Sequence, residues 1–431
     1  MTASEHRSDS LGASLRSDPA SFLYFLAKTK PNEDVLLSQV LGGLWVVQKP
    51  KTARWILANR DKAFDKYFGF HKSALGRSRL TADGEDWRHL RDISQENIVA
   101  PKRPEIARTA QIEFGLVADE MLKAASQSKS IQIDELIDVA SMRVLCALIF
   151  QIDPDQVSPT IVKSLRSVFK LTSLANWAPV EVIQKDAPEI VEAANAGFTH
   201  IQEEFAGLTA QQKNLGDGNL IAKINASDHG SLDAISEFST VLVAGYETTS
   251  TAISWILYSL ARARKLQDQL RYEVCSNPYP RLATEGPREM DLLRRVVLEA
   301  LRLFPPVPAL GRIANRDVAL GEVSLSRGQR VVISIIGVNL GPKEQLDRFA
   351  FDPDRLLAIE GDRSPTTVGM PFGHGQRICP GSQFAVTEIE AAISTLLQRI
   401  VVFPDNSSVG KLEWGVSMRR ANGNFLRIES T

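Results

Sequence analysis

Apolar residues recur at three- and four-residue intervals through most of this chain, the spacing of one helix face. The clearest stretches are EIARTAQIEFGLVADEMLKAA (105–125), IQIDELIDVASMRVLCALIFQI (131–152) and SLDAISEFSTVLVAGYETTSTAISWILYSLARA (231–263). PREMDLLRRVVLEALRLF (287–304) opens on a proline suited to a first helical turn and stops at PPVP. GSQFAVTEIEAAISTLLQRI (381–400) is the last strong helix. Strand signals are short: LGGLWVVQ (41–48), RVVISIIGVN (330–339) and NFLRI (424–428). Strands and helices do not alternate, which argues against a doubly wound parallel sheet. The segment 208–231 reads as a loop-rich connection. The pattern predicts a mainly α protein with small β-sheets: a flexible N-terminal tail over 1–18, then a single large domain over 19–431.

Composition adds exclusions. Net charge is −1 over 431 residues, so no global basic signature for nucleic acid exists. Three cysteines are too few for a disulfide framework and fit a reducing, cytoplasmic setting. The start of the chain has no signal-peptide pattern or membrane anchor. The stretch 241–260 approaches transmembrane length, but Glu247 lies within it among several Ser and Thr. A carboxylate at the bilayer centre is costly, so a buried helix of a globular protein is the better reading.

The chemistry concentrates in MPFGHGQRICPG (370–381). Gly373, Gly375 and Gly381 permit backbone shapes that other residues resist, and they let a flat ligand approach closely. The helix that follows brings its positive N-terminal end beside Cys379, which favours the thiolate. Zinc fits poorly, since no second cysteine or histidine stands at ligand spacing. A nucleophilic cysteine needs an oriented base, and nothing visibly orients His374. A lone thiolate suits one role well, the single protein ligand of a haem iron.

FGHGQRICPG (372–381) matches the pattern FxxGxRxCxG, and the chain here resembles the cytochrome P-450 family of haem-thiolate monooxygenases. The resemblance implies the cytochrome P-450 fold and haem b, with Cys379 as axial ligand, Phe372 and Gly381 in the cofactor loop, and Arg377 on a haem propionate. Other stretches agree in order. Glu299 and Arg302 in EALR share a helix face; alone they would be a routine ion pair, but the family joins such a pair to a downstream arginine, here Arg355 in FDPDR, as a structural triad. AGYETTS (244–250) is similar to the family's [AG]Gx[DE]T motif, in which the acid and threonine, Glu247 and Thr248, handle protons for oxygen activation. Gly245 within that helix reads as making room, and the acid–alcohol pair as a polar, watered groove. Trp87 and Arg91 in GEDWRHLRD fit the family's WxxxR on the propionates, with Arg312 a further propionate partner.

The lack of an anchor resembles soluble prokaryotic members, while RICPG and GYETTS resemble the spellings of membrane-bound ones. The segment LGPKEQLDRFA departs from the family pattern. The implied reaction inserts one oxygen atom from O2 into a lipophilic molecule, with a lean toward a terpenoid or other polycyclic lipid. Electrons would come from an external ferredoxin with an NAD(P)H-dependent reductase, since no flavin or nicotinamide module is visible. Two alternatives stay open: peroxide-driven oxidation, isomerisation or dehydration on the same haem, and a non-catalytic haem-binding sensor. By resemblance the pocket is lined around 68–80, 171–180, 241–248, 307–310 and 416–417.

Overall fold

The structure is a computed structural model. It describes residues 18–37, 43–59, 62–67, 77–127, 130–175, 180–210, 219–226, 230–277, 291–321, 323–341, 347–358, 369–405 and 411–431, with backbone alone for 180 and 230–233. The expected tail therefore lies outside the described residues, except for Asp18. That residue accepts a 3.0 Å hydrogen bond from the Ser21 N–H and caps the first helix.

Fourteen α-helices stand among the described residues: α1 Pro19–Thr29, α2 Pro50–Ala58, α3 Gly84–Val99, α4 Arg103–Gln127, α5 Asp134–Leu145, α6 Ile161–Leu174 and α7 Val180–Asp186, then α8 Pro188–Ala210, α9 Leu220–Ala226, α10 Gly230–Arg262, α11 Arg264–Ser276, α12 Leu292–Leu303, α13 Ile335–Leu340 and α14 Ser382–Arg399. Two of the helical readings change at their edges. Ile131–Gln132 is a short strand ahead of α5, and Cys146–Phe150 continues α5 as a π-helical turn. Helix α12 begins at Leu292 behind Asp291, and Pro287 lies outside the described residues. The stretch read as a loop at 208–231 includes the end of α8 and all of α9.

The principal sheet has five strands in the order β1 (Val35–Leu37), β2 (Leu44–Val47), β8 (Arg330–Ser334), β5 (Ala309–Ala314), β3 (Phe64–Lys66). Only β2 and β8 run parallel. The apolar run 330–339 divides after Ser334, whose side chain accepts from the Gly337 N–H and starts α13. A three-stranded sheet pairs β4 (Ile131–Gln132), β12 (Phe425–Ser430) and β9 (Ile400–Pro404). Two hairpins complete the strands: β6 (Val318–Leu320) with β7 (Val323–Leu325), and β10 (Leu412–Trp414) with β11 (Met418–Arg420).

Helix α10 crosses the middle of the molecule against α5, α12 and α14. Tyr246, Ile253, Ile256 and Leu257 are fully buried along it. Its apolar length is therefore spent on the protein core, and among the described residues no helix is long and apolar enough to cross a membrane. Gly245 both borders a cavity beside α10 and packs closely on α5. A Cβ there would collide with the Leu145 side chain of α5.

Candidate haem site

A cavity of about 540 Å³ lies between α10 and the loop that precedes α14. Cys379 stands in its wall, whereas Cys146 is buried in the π-turn and Cys275 is exposed on α11. The loop is folded tightly. The Gly373 N–H donates to Met370 O (3.0 Å), and the Cys379 N–H donates to Phe372 O (2.9 Å). Gly373 and Gly375 take φ of 75° and 77°, the left-handed region that favours glycine. Gly375 has a second constraint: a Cβ would lie 2.5 Å from Leu57 O at the end of α2. The loop thus rests on backbone and cannot shift to admit a side chain.

Burial pushes the Cys379 thiol pKa up, while the Gly381 N–H and the Arg79 charge pull it down. Burial therefore opposes the effect expected of the helix terminus. A bound metal cation would favour the thiolate, because a coordinating thiol is deprotonated outright. Among the described residues there is no cluster of three His, Cys, Asp or Glu that could hold a metal by itself.

Positive charge gathers around the same cavity. Lys66, Arg79, Arg91, Arg312, Arg330 and Arg377 line it, and no lining residue among those described is acidic. Strand register explains part of this grouping, since Lys66 on β3 stands opposite Arg312 on β5. Burial and the charges of Arg377 and Arg312 hold Lys66 well below its usual pKa. Burial lowers Arg312 and Arg377 to about 10 each; the Arg377 charge adds to the effect on Arg312, while Asp83 opposes it on Arg377. Arg377 donates to Asp83 Oδ1 and to Ala82 O, both at 2.7 Å. Its guanidinium also stacks 4.2 Å from the Trp87 ring centre, and Arg91 lies 5.7 Å from the same ring. Trp87, Arg91, Gln95 and Ile98 all face the cavity from one side of α3. Arg312 is buried, Lys66, Arg79, Arg330 and Arg377 are half-buried, and only Arg91 is exposed; like charges gathered this way around one cavity are costly alone and call for an anionic ligand.

The two α10 residues singled out from sequence part company. Thr248 lines the cavity, with its hydroxyl donating to Ala244 O at 2.9 Å. Glu247 is buried on a neighbouring face and is not in the cavity wall. Its Oε1 accepts from the Ser417 hydroxyl (2.9 Å) and lies 3.7 Å from Arg419 Nε, while Oε2 has no partner among the described residues. Arg419 is in turn held by Asp138 (2.8 Å), Ser250 Oγ and the Glu247 carbonyl. The groove expected beside both groups is lined by only one of them.

Behind the cysteine loop, Arg302 makes two 2.7 Å bonds to the Glu299 carboxylate and donates to Arg348 O (2.8 Å). Glu299 is 0 % exposed, and Oε1 also accepts from the Asp352 N–H at 3.0 Å. Arg355 Nε lies 3.7 Å away. These three groups do meet, and none of them lines the cavity. Sequence reasoning missed Lys66, Arg79, Arg330 and Asp83. The only sequence signal for Arg79 was its place in the 68–80 lining segment, of which 68–76 lie outside the described residues. Of the other lining segments, Ser173, Val241, Val307, Leu310 and Val416 face the cavity; Ser417 does not, and 176–179 lie outside the described residues.

Residues 42–426 match the family model for cytochrome P-450. The chain is 24 % identical over 414 residues to mouse cytochrome P-450 4X1, covering 89 % of this chain and 81 % of that one. It is 25 % identical over 367 residues to rat mitochondrial 25-hydroxyvitamin D-1 alpha hydroxylase, covering 78 % and 72 % respectively. Two solved structures share the fold. A 6-coordinated cytochrome P-450 from Thermus thermophilus superposes with a TM-score of 0.72 at 21 % identity, over 95 % of this chain and 98 % of that one. A second cytochrome P-450, from another strain of the same organism, gives 0.73 at 22 %, over 97 % and 96 %. The cofactor of that family is haem with an axial cysteine thiolate. The residues here fit it: one cysteine in the cavity wall, a glycine-built cradle, and an excess of guanidinium and ammonium groups for two propionates. By the match over nearly its whole length and by its fold, this chain belongs to the cytochrome P-450 family of haem-thiolate monooxygenases.

Proposed function

We propose that this enzyme hydroxylates a compact apolar molecule of the terpenoid or polycyclic lipid class, in the cytoplasm, with a ferredoxin-type electron donor. The observation that carries the substrate class is the wall around Thr248. Leu80, Phe169, Val241, Val307, Leu310 and Val416 make it apolar. The hydroxyls of Ser173 and Thr240 add a few polar points, and Ser173 is already committed to Gly415 O. Bound haem supplies the activation of O2, and thiolate donation from Cys379 favours O–O cleavage. Arg377, Arg312 and the Trp87–Arg91 pair hold the propionates in this reading. Thr248 would hold a proton at its Oγ1 on the cavity wall, and Glu247, bonded to Ser417 and near Arg419 on the neighbouring face, would be the acid behind it. The donor reading rests on Arg88 of α3, Lys102 between α3 and α4, and Arg108 of α4, all exposed.

The test is a titration of the haem-loaded protein with terpenoids, steroids and fatty acids, followed by turnover with a surrogate ferredoxin system. A ferric spectral shift with a polycyclic ligand and NAD(P)H-dependent hydroxylated product are expected. Tight binding confined to linear fatty acids would overturn the substrate class. Efficient turnover without any electron donor would favour peroxide or isomerase chemistry. For Thr248→Ala, less product and more peroxide per NAD(P)H are expected; unchanged coupling removes Thr248 from the mechanism.

A further inference from the structure

Lys66, Arg312 and Arg377 share the influence of Asp83, but Arg79 is held differently. Its guanidinium donates to Ser94 Oγ (2.8 Å) and Gln95 Oε1 (3.0 Å) on α3. Its backbone N–H donates to Glu237 Oε2 (2.6 Å) on α10, and the Ser94 hydroxyl donates to the other oxygen of that carboxylate (3.1 Å). Glu237 is 1 % exposed. Two residues of α3 thus hold the guanidinium, and Glu237, 158 residues away on α10, holds the Arg79 backbone and Ser94 beside it.

That place is close to the cysteine. Ser94 and Ile98 are one turn apart on α3, about 5–6 Å. Ile98 Cγ2 lies 3.9 Å from where a Cβ on Gly381 would stand, two residues beyond Cys379. Arg79 and Cys379 both line the cavity. The clamp on α3 therefore holds a fixed positive charge on the same wall as the Cys379 sulfur. In a water-poor interior such a charge is felt over several ångströms.

We propose that Arg79 is a positioning residue for the electronics of the site: clamped by Ser94 and Gln95 and partly offset by Glu237, it raises the reduction potential of the Cys379-ligated haem iron. The reasoning is one of charge. Ferric iron accepts one electron to become ferrous, so the site gains a negative charge. A fixed cation nearby stabilises the reduced form, and a fixed anion opposes it. Arg79 and Glu237 therefore act with opposite sign, although they belong to one bonded cluster. The inference rests on haem ligation by Cys379 and is independent of the substrate.

The experiment is a spectroelectrochemical titration of the haem-loaded, substrate-free protein at pH 8. Each variant is first shown to keep the thiolate signature of its reduced carbon monoxide complex. Loss of that signature in the wild type would refute the ligand assignment rather than the tuning role. Arg79→Leu is expected to lower the midpoint potential, Glu237→Gln to raise it, and Arg79→Lys to stay near the wild type. Shifts of the same sign in Arg79→Leu and Glu237→Gln would indicate general loosening and overturn the proposal, as would no shift in either. If Arg79→Leu fails to hold haem, the sign for Glu237→Gln decides: upward supports tuning, and unchanged or downward overturns it.

Discussion

Replacing Glu299 by alanine tests how the loop behind the haem is held. The carboxylate receives two 2.7 Å bonds from Arg302 and a 3.0 Å bond from the Asp352 N–H, with Arg355 at 3.7 Å. Glu299 is 0 % and Arg302 4 % exposed, so water cannot replace the lost partner without rearrangement. Removing one member of a buried pair costs about 3–5 kcal/mol, because the other charge is left uncompensated. That is roughly a hundred- to several-thousandfold in the folding equilibrium, out of a total stability of about 5–15 kcal/mol. Arg355 is a graded control. It is farther from Glu299 and more exposed, so Arg355→Ala should cost only about 1–2 kcal/mol. The assay is the urea midpoint of the haem-loaded protein, with haem content per chain measured alongside. The expected order is wild type, Arg355→Ala, then Glu299→Ala, the last poorly loaded. A fully loaded Glu299→Ala protein with an unchanged midpoint would refute the buried-triad reasoning.

Cys379→Ser should abolish the thiolate signature of the reduced carbon monoxide complex; survival of that signature would move the ligand elsewhere. Gly375→Ala places a Cβ against Leu57 O at a φ of 77° and should cost about 1–3 kcal/mol, read as a lowered thermal midpoint and faster haem loss. Glu388 on α14 is 0 % exposed, faces the Ser141 hydroxyl, and is pushed by burial from 4.5 to about 8. Its folded pKa lies above its unfolded one, so the folded state binds the extra proton and stability falls as pH rises between 4.5 and about 8. Glu388→Gln should therefore flatten the decline in urea midpoint across that range; an equal decline in both proteins would show that Glu388 does not titrate there.

The parts of the site legible in the sequence are those set by local spacing. The cysteine loop works through glycines a few residues from Cys379, and Glu299 and Arg302 meet because they are three apart on a helix. Trp87 and Arg91 share the cavity-facing side of α3 for the same reason. Lys66 could not be found this way. It reaches the site through strand pairing with Arg312, some 250 residues later, and pairing register is not written in either strand alone. Arg79 likewise depends on Glu237, 158 residues away. The split of the strand-like run at 330–339 turned on one side-chain bond from Ser334, a cap that outweighed the β-branched pattern around it.

Glu247 and Thr248 are neighbours in sequence that diverge in space. Adjacent residues on an α-helix point about 100° apart, so an acid and an alcohol side by side in sequence cannot both face one cavity squarely. If Thr248 faces the cavity, Glu247 must look toward whatever packs on the next face, and here that is the β10–β11 hairpin with Ser417 and Arg419. The same hairpin turn carries Val416 into the cavity wall. The segment that brings Val416 to the cavity wall thus also holds the acid, through residues one and three positions further along. A ligand that displaces Val416 would disturb the Ser417 bond to Glu247, so under the proposed mechanism proton supply and substrate fit are two readings of one hairpin's position.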